Sequence, residues 1–514
     1  MMGPVISKSK FLSGLQCPLL LWTQYNDRDA IPAVAPATQY VFDMGHTVGD
    51  LAKLRYPGGI EVGADGVATA PRTGGPAATA ATAGARPDLE ATAAATRDLL
   101  RHRRPLFEAS FLGGEPGGRR YVRADILAPA PGDDAAWDLV EVKSSSRLKE
   151  INLWDIAFQA GAIESAGVKL ARLCLMHIDT GYVRHGPVEP ERLFALEDVT
   201  ERVRALMGEV PALFARFAAT IGGARPDVPI GPHCRDPFSC PMLPACWGDL
   251  PEDHVTTMVR AGRRAFAWME QGWDRIVQVP DTELSDLQLV QKGAVVADAP
   301  RLVKAAVHDL LAGLEYPLWN LDFESLNPAV PLFDGTRPFE QVPFQFSLHV
   351  QEAPGAAPRH EEYLSTTGDD PRPALLSALR AVGPRGTVLA FNAAFESQVL
   401  AQLGRAYPEH GAMCADLGAR LRDLADPFRT FDVYHPAQQG SYSLKAVLPA
   451  WTGRGYEDLT IADGQAAGRG WHRAVYATDL APGERETILA DLRAYCGRDT
   501  GAMVELLEVL RELV

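Results

Sequence analysis

Cysteine is scarce in this chain, seven residues among 514. A small, odd number over that length excludes a disulfide framework and leaves single thiols for metal or thiol chemistry. Long apolar runs are also missing. A membrane-spanning helix needs about 20 consecutive apolar residues, so no transmembrane segment is expected. The amino terminus, MMGPVISKSKFLSGLQCPLLLW, is basic and then apolar but has no small-residue cleavage site. It reads as folded protein, not as a signal peptide, and the expected compartment is cytoplasmic. Positive charge is in deficit: 50 Lys and Arg against 65 Asp and Glu give a net charge of −15. That balance excludes a protein that coats nucleic acid by bulk electrostatics, while leaving acidic residues to cluster around cations. No G-x-x-x-x-G-K-[S/T] occurs, so the chain has no phosphate-binding loop of its own.

What is present is a folded chain, 46% hydrophobic and long enough for two or three domains. Its most informative stretch is YVRADILAPAPGDDAAWDLVEVKSSS, residues 121–146. VRADILA alternates, PAPGDD is loop chemistry and WDLVEVK resumes an apolar strand, so a hairpin is expected. Glu141 and Lys143 lie two apart on one strand and share a face; Asp125, on the other strand, can reach that face. Two carboxylates and an ammonium on a sheet are costly to bury unless they hold a metal or pair with one another. Such a trio suits metal-assisted phosphodiester hydrolysis. The acids would hold Mg²⁺ or Mn²⁺, and the lysine would stabilise developing charge or orient a water. An isolated Glu-x-Lys is usually a solvated strand pair, so its neighbours decide its meaning.

Those neighbours are ordered. Residues 6–24 carry a serine cap signal and read as a helix with Cys17; VFDMGHTVGDLAKLRYP reads as a second helix, with His46. Residues 63–96 are Ala, Thr, Gly and Pro with few large apolar side chains, a low-complexity insertion expected to run into a modest helix. PLFEASFLGG is a strand before the hairpin. After it, KEINLWDIAFQAGAIESAG is a helix with Gln159, and LARLCLMHIDTGYV is a strand. This order resembles the PD-(D/E)XK nuclease superfamily, in particular its RecB-like branch. The resemblance implies metal ligation by His46, Asp125 and Glu141, a catalytic Lys143, and a supporting role for Gln159. The tyrosine usually found a turn later is absent, since the helix reads QAGAIE.

In HCRDPFSCPMLPACW, residues 233–247, Cys234, Cys240 and Cys246 are separated by five residues each. Three close thiols are unlike core filler and call for a fourth ligand, to complete a zinc site or an iron–sulfur cluster. The RecB-like resemblance implies one upstream cysteine, Cys17, and a 4Fe–4S cluster, with zinc the alternative. Residues 251–315 read as a helical connector without chemistry.

A new α/β unit begins near residue 316. PLWNLDFES carries Asp322 and Glu324 on one strand face. GTVLAFNAAFESQVLAQL reads as a strand and then a helix with Glu396; RTFDVYHPAQQGSYSLKAVLPAW contains Asp432 and a serine–lysine turn; the terminal helix carries Tyr495 and Asp499 one turn apart. The pattern resembles the DEDD exonucleases of the RNase H-like fold. It implies a two-metal site of Asp322, Glu324, Glu396 and Asp499, with Tyr495 orienting the attacking water; the family usually has aspartate where Glu396 stands. Along nearly its whole length the chain also resembles the bacterial family known as domain of unknown function 2779.

The expected protein is therefore α/β: a PD-(D/E)XK-like domain over 1–250, a connector over 251–315 and an RNase H-like domain over 316–514. Its expected activity is metal-dependent hydrolysis of DNA or RNA, most readily single strands, at two nuclease sites, with any strand unwinding left to a helicase or other repair or defence partner. The alternatives are a single active carboxy-terminal exonuclease with an amino-terminal clamp, or a non-catalytic nucleic-acid-binding scaffold.

Overall fold

The computed structural model describes residues 3–33, 36–69, 88–115 and 117–514. It is a mixed α/β protein of two compact units, residues 1–248 with 328–340, and 249–327 with 341–514. Most of the low-complexity insertion, 70–87, lies outside the described residues. The helix expected after it runs Leu89–Leu99, capped by Asp88, whose Oδ1 accepts the N–H groups of Glu90 and Ala91 at 3.1 and 3.0 Å.

The first unit is built on a mixed sheet whose middle strands are Leu106–Glu115, Gly118–Pro129, Ala136–Lys143 and Lys169–Ile178. The first three form an antiparallel meander, with Ile126 opposite Val140; the last runs parallel to Ala136–Lys143. A parallel pair needs a crossover, supplied by the helix Glu150–Ser165. That helix is buried on most sides (Ile151, Ile156, Phe158, Ile163), so its polar Asp155 and Gln159 must find partners inside.

The single helix expected over residues 6–24 is two, Lys8–Gln16 and Pro18–Asn26. Pro18 forbids helical backbone at the residue before it, and Cys17 is extended at φ −156°, ψ 119°. The cysteine therefore sits in the joint. Ahead of it, Val5–Ser7 pairs parallel to the hairpin strand, Ser7 beside Tyr121, which delivers Lys8 to the level of the hairpin's charged residues.

The second unit holds a five-stranded sheet in the order Arg359–Leu364, Val342–Gln351, Leu318–Leu326, Val388–Ala390, Leu421–Asp423. The first three strands are antiparallel; the last two run parallel to Leu318–Leu326. Along that central strand Trp319, Leu321 and Phe323 enter one apolar core, so Asp322 and Glu324 take the opposite face. The 29-residue terminal helix Glu484–Glu512 covers that face. Its buried stripe, Leu492, Tyr495, Cys496, Asp499, Met503, Leu506 and Leu510, has helical spacing and carries the site residues among the packing ones.

Residues 251–315 are not a separate connector. They belong to the second unit: Arg301–Leu302 pairs with Val433–Tyr434, Val259 and Ala294 pack with Phe431 and Tyr434, and within the segment Gln291 bonds Val259 N and Thr257 O at 2.7 and 2.9 Å. A two-residue strand and side-chain bonds to backbone leave no periodic signal in sequence.

Candidate active sites and a cysteine cluster

On the first sheet, Asp125, Glu141, Lys143 and Gln159 come together. Glu141 is fully buried. Its Oε1 accepts from Lys143 at 2.6 Å, its Oε2 from Gln159 at 2.6 Å, and Lys8 donates to both oxygens at 2.9 and 3.1 Å. Lys143 also reaches Asp155 at 2.8 Å, and Lys8 stands 3.6 Å from Asp125. Burial alone would raise the Glu141 carboxyl; Lys143, Lys8 and the Gln159 bond outweigh it and hold the group well below its usual range. Asp125 goes the other way, up to about 7, through burial and the neighbouring Glu141 charge. With 26% of its side chain exposed, it stays partly screened by solvent. Burial opposes the charge on Lys143, but Asp155 and Glu141 raise it overall. This site thus carries its own cations.

His46 does not join it. The helix Pro36–Lys53 turns Val48 and Ala52 into the core, and at about 100° per residue His46 falls on nearly the opposite side, exposed. Among the described residues no cluster of potential metal ligands includes it.

Cys17, Cys234 and Cys240 are buried and Cys246 half-buried, all lining one cavity of about 20 Å³ with His233 and apolar side chains. Gln16 fastens the joint to the cysteine loop, donating to His233 O and Phe238 O at 2.8 and 2.7 Å. Burial pushes the thiols of Cys17, Cys240 and Cys246 up, and the neighbouring cysteines add to it.

In the second unit Asp322, Glu324, Glu396 and Asp499 converge from a strand and two helices. Glu324, Glu396 and Asp499 are 5, 2 and 8% exposed. Burial raises Asp322 well above its usual range, and Asp499, Glu324 and Glu396 push it further. Glu324 is likewise raised well above its range by burial and Asp499, and Glu396 is pushed up to about 8 by burial and the charges of Asp423 and Asp499. Asp499 accepts from Tyr456 Oη at 2.5 Å and from Tyr495. Lys445 stands 5.0 Å over the Tyr495 ring and draws on both Glu324 and Asp499. Asp432 is elsewhere, bonded to Thr430 at 2.7 Å.

At an effective dielectric near 20, two like charges 4–5 Å apart repel by about 3–4 kcal/mol. Left charged, the Asp322–Glu324 pair, within 4.8 Å, would by itself offset a sizeable share of a domain's roughly 5–15 kcal/mol of stability. Glu396 adds a buried oxygen, Oε2, with no hydrogen-bond partner among the described residues. The arrangement is suited to holding divalent cations, or to remaining protonated without them.

Lys8, Asp155, Lys445, Tyr456 and Cys496 were not singled out as site residues from the sequence. Asp155 had a signal, one helical turn before Gln159 on the same face. Lys445 had one in the serine–lysine turn. Lys8 lies 133 residues from Glu141 and gave none.

The model of the family described as domain of unknown function (DUF2779) matches residues 319–443, a span containing Asp322, Glu324 and Glu396, and supports that family resemblance. The uncharacterized protein UU173 of Ureaplasma parvum serovar 3 is 25% identical over 239 residues, 42% of this chain and 34% of that protein. The chain thus covers about a third of that relative. No solved structure matches it. No single helix among the described residues is long and apolar enough to cross a membrane.

Proposed function

We propose that the chain is a metal-dependent nuclease whose principal site is the carboxylate cluster of the second unit. The observation that carries this reading is the convergence of four carboxyls, three of them buried (Glu324, Glu396, Asp499) and Asp322 half-buried, with Lys445 drawing on two of them. Divalent cations, Mg²⁺ or Mn²⁺, would be held by Asp322, Glu324, Glu396 and Asp499 and would supply a polarised phosphate and an activated water. Tyr495, its one hydroxyl proton already given to Asp499, is suited to hold that water by accepting a hydrogen bond from it. Lys445 is suited to meet the phosphate's charge. The sheet order of three antiparallel strands followed by two parallel ones supports an RNase H-like reading. The antiparallel meander, crossover helix and parallel strand of the first unit support a PD-(D/E)XK-like one.

The first unit's site is a second hydrolytic site in this proposal, with Asp125 and Glu141 as ligands and Lys143 opposite the developing charge. One observation favours a clamp instead: both Glu141 oxygens are already bonded by Lys8, Lys143 and Gln159. For the cysteines we favour a 4Fe–4S cluster over zinc. The four cysteines line one cavity and supply four thiolates; the RecB-like resemblance favours the cluster, which takes one thiolate per iron.

The test is cleavage of end-labelled single-stranded DNA and RNA by the full-length protein as Mn²⁺ is titrated. Cleavage is expected in wild type, falling on the order of 10³-fold in Asp322→Asn. Lys143→Ala removes only what remains in that variant. Unchanged cleavage in Asp322→Asn would sink the principal assignment; equal cleavage in Asp322→Asn with and without Lys143→Ala would make the first unit a clamp.

A further inference from the structure

Three cysteines lie outside the cysteine loop and its partner Cys17. Cys174 and Cys414 are packed in apolar clusters, as structural thiols are. Cys496 is different. It is fully buried on the terminal helix, and its Sγ lies 3.6 Å from Asp322 Oδ2. One ligand atom each from Asp322, Glu324 and Cys496 lies within 4.8 Å of the others, the one such cluster among the described residues. Glu396, a residue 2% exposed whose Oε2 has no hydrogen-bond partner among the described residues, adds its charge to the same group.

The separation has a chemical meaning. A tetrahedral ion with sulfur at about 2.3 Å and carboxylate oxygen at about 2.1 Å holds the two donors about 3.6 Å apart. A hydrogen bond from a thiol to a carboxylate could span the same gap. It would not, however, account for the second carboxylate, Glu324, within the same 4.8 Å, or for the orphaned Glu396 oxygen.

We propose that Cys496 is a metal ligand, and that one cation position of the second unit's site takes a thiophilic ion of the zinc class through Asp322, Glu324 and the Cys496 sulfur. This rests on the metal-binding reading of the carboxylate cluster and goes beyond it by making the two cation positions unequal. Thiolate favours zinc-class ions, whereas all-oxygen sites suit Mg²⁺ and Mn²⁺. Binding exchanges the thiol proton for the cation, the S–H bond giving way to a sulfur–metal bond and the proton passing to solvent.

Co²⁺ is the probe, because a thiolate ligand gives it an intense near-ultraviolet charge-transfer band and carboxylates do not. Full-length protein, with its cysteine loop occupied as purified, is freed of loosely bound cations by a weak chelator and titrated with Co²⁺. The expected result is a band lost in both Cys496→Ser and Asp322→Asn, displaced by Zn²⁺ but not by a comparable amount of Mg²⁺. Zn²⁺ affinity should fall at least tenfold in Cys496→Ser, since even residues behind a metal's ligands cost roughly 10–100-fold, while Mg²⁺ affinity holds. Co²⁺ binding that needs Asp322 but shows the same spectrum with and without Cys496 would overturn the proposal and leave the carboxylate site standing. A band lost in Cys496→Ser but kept in Asp322→Asn would overturn the shared site. No Asp322-dependent uptake of Co²⁺ would overturn both. Should Cys496→Ser not fold, Cys496→Ala carries the same comparison.

Discussion

The two candidate sites use similar residues in opposite electrostatic settings. In the first unit two lysines and a glutamine surround Glu141, and its carboxyl is held low. In the second, Glu324, Glu396 and Asp499 are buried beside the half-buried Asp322, and all four carboxyls are raised. The difference teaches that an acidic pair on a strand does not by itself signal a vacancy for metal. How strongly the fold's own cations engage the acids decides: Lys8, 133 residues away, and Lys143 bond Glu141 directly, whereas at the second site Lys445 and Arg498 lower Asp499 without outweighing its burial.

The comparison can be broken or sharpened by experiment. The largest effect is expected at the cysteines, where the first unit's need for metal would lie if its carboxylates are already neutralised. Cys17→Ser should remove the visible colour of anaerobically purified protein and lower the first unit's stability by about 3 kcal/mol or more, roughly 10 °C in melting. Colourless wild-type protein with one tightly held zinc would replace the cluster by zinc and keep the ligands.

Lys8→Ala should make the first site resemble the second. Removing one partner of a buried pair costs about 3–5 kcal/mol. With 25% of its side chain exposed, Lys8 should cost less, about 1–2 kcal/mol after solvent screening, and Mn²⁺ should restore part of the loss. Loss without any rescue would mean that Asp125 and Glu141 do not bind cations.

The sites also differ in pH dependence. An acid raised on folding gives stability at low pH that is lost as pH climbs to its folded value. Glu396, raised from 4.5 to about 8, therefore contributes a loss of stability across that interval when no cation is bound. In the first unit Asp125 acts in the same direction up to about 7, while Glu141 adds stability above its ordinary range and loses it below. Metal-free second-unit stability, read by hydrogen exchange in Glu484–Glu512, should fall from pH 4.5 to 8, equivalent to roughly 5 °C of melting, and saturating Mn²⁺ should flatten the curve. A flat curve without metal would contradict the buried-charge account.

The smallest effect is expected at Glu396→Asp, which shortens the side chain by one methylene and should keep or raise activity, within about threefold either way (0.7 kcal/mol). Abolished cleavage would mean that the longer carboxylate is required for ligation.

Much of this was legible in sequence because strand spacing states which side chains share a face. Asp322 with Glu324, and Glu141 with Lys143, are pairs at two-residue separation, and Tyr495 with Asp499 is a one-turn pair. Helix phase, which decides His46, was legible only once the buried residues of that helix were known. The break at Cys17 was written in the following proline but hidden by the apolar run PLLLW. Long-range partners such as Lys8, and Tyr456 on Asp499, depend on tertiary packing and have no local signal. Cys496 lies beside Tyr495 in the chain, yet only the carboxylates facing it separate it from core filler.

The most direct test of the central claim is amide hydrogen exchange of the full-length protein in Leu318–Leu326 and Glu484–Glu512, with and without Mn²⁺ near pH 8. Cation binding at about 100 times its dissociation constant should add about 2.7 kcal/mol of protection in both segments, and Asp322→Asn should remove most of it. Equal protection with and without Mn²⁺ in wild type, or an equal gain in Asp322→Asn, would contradict a metal site built on these carboxylates.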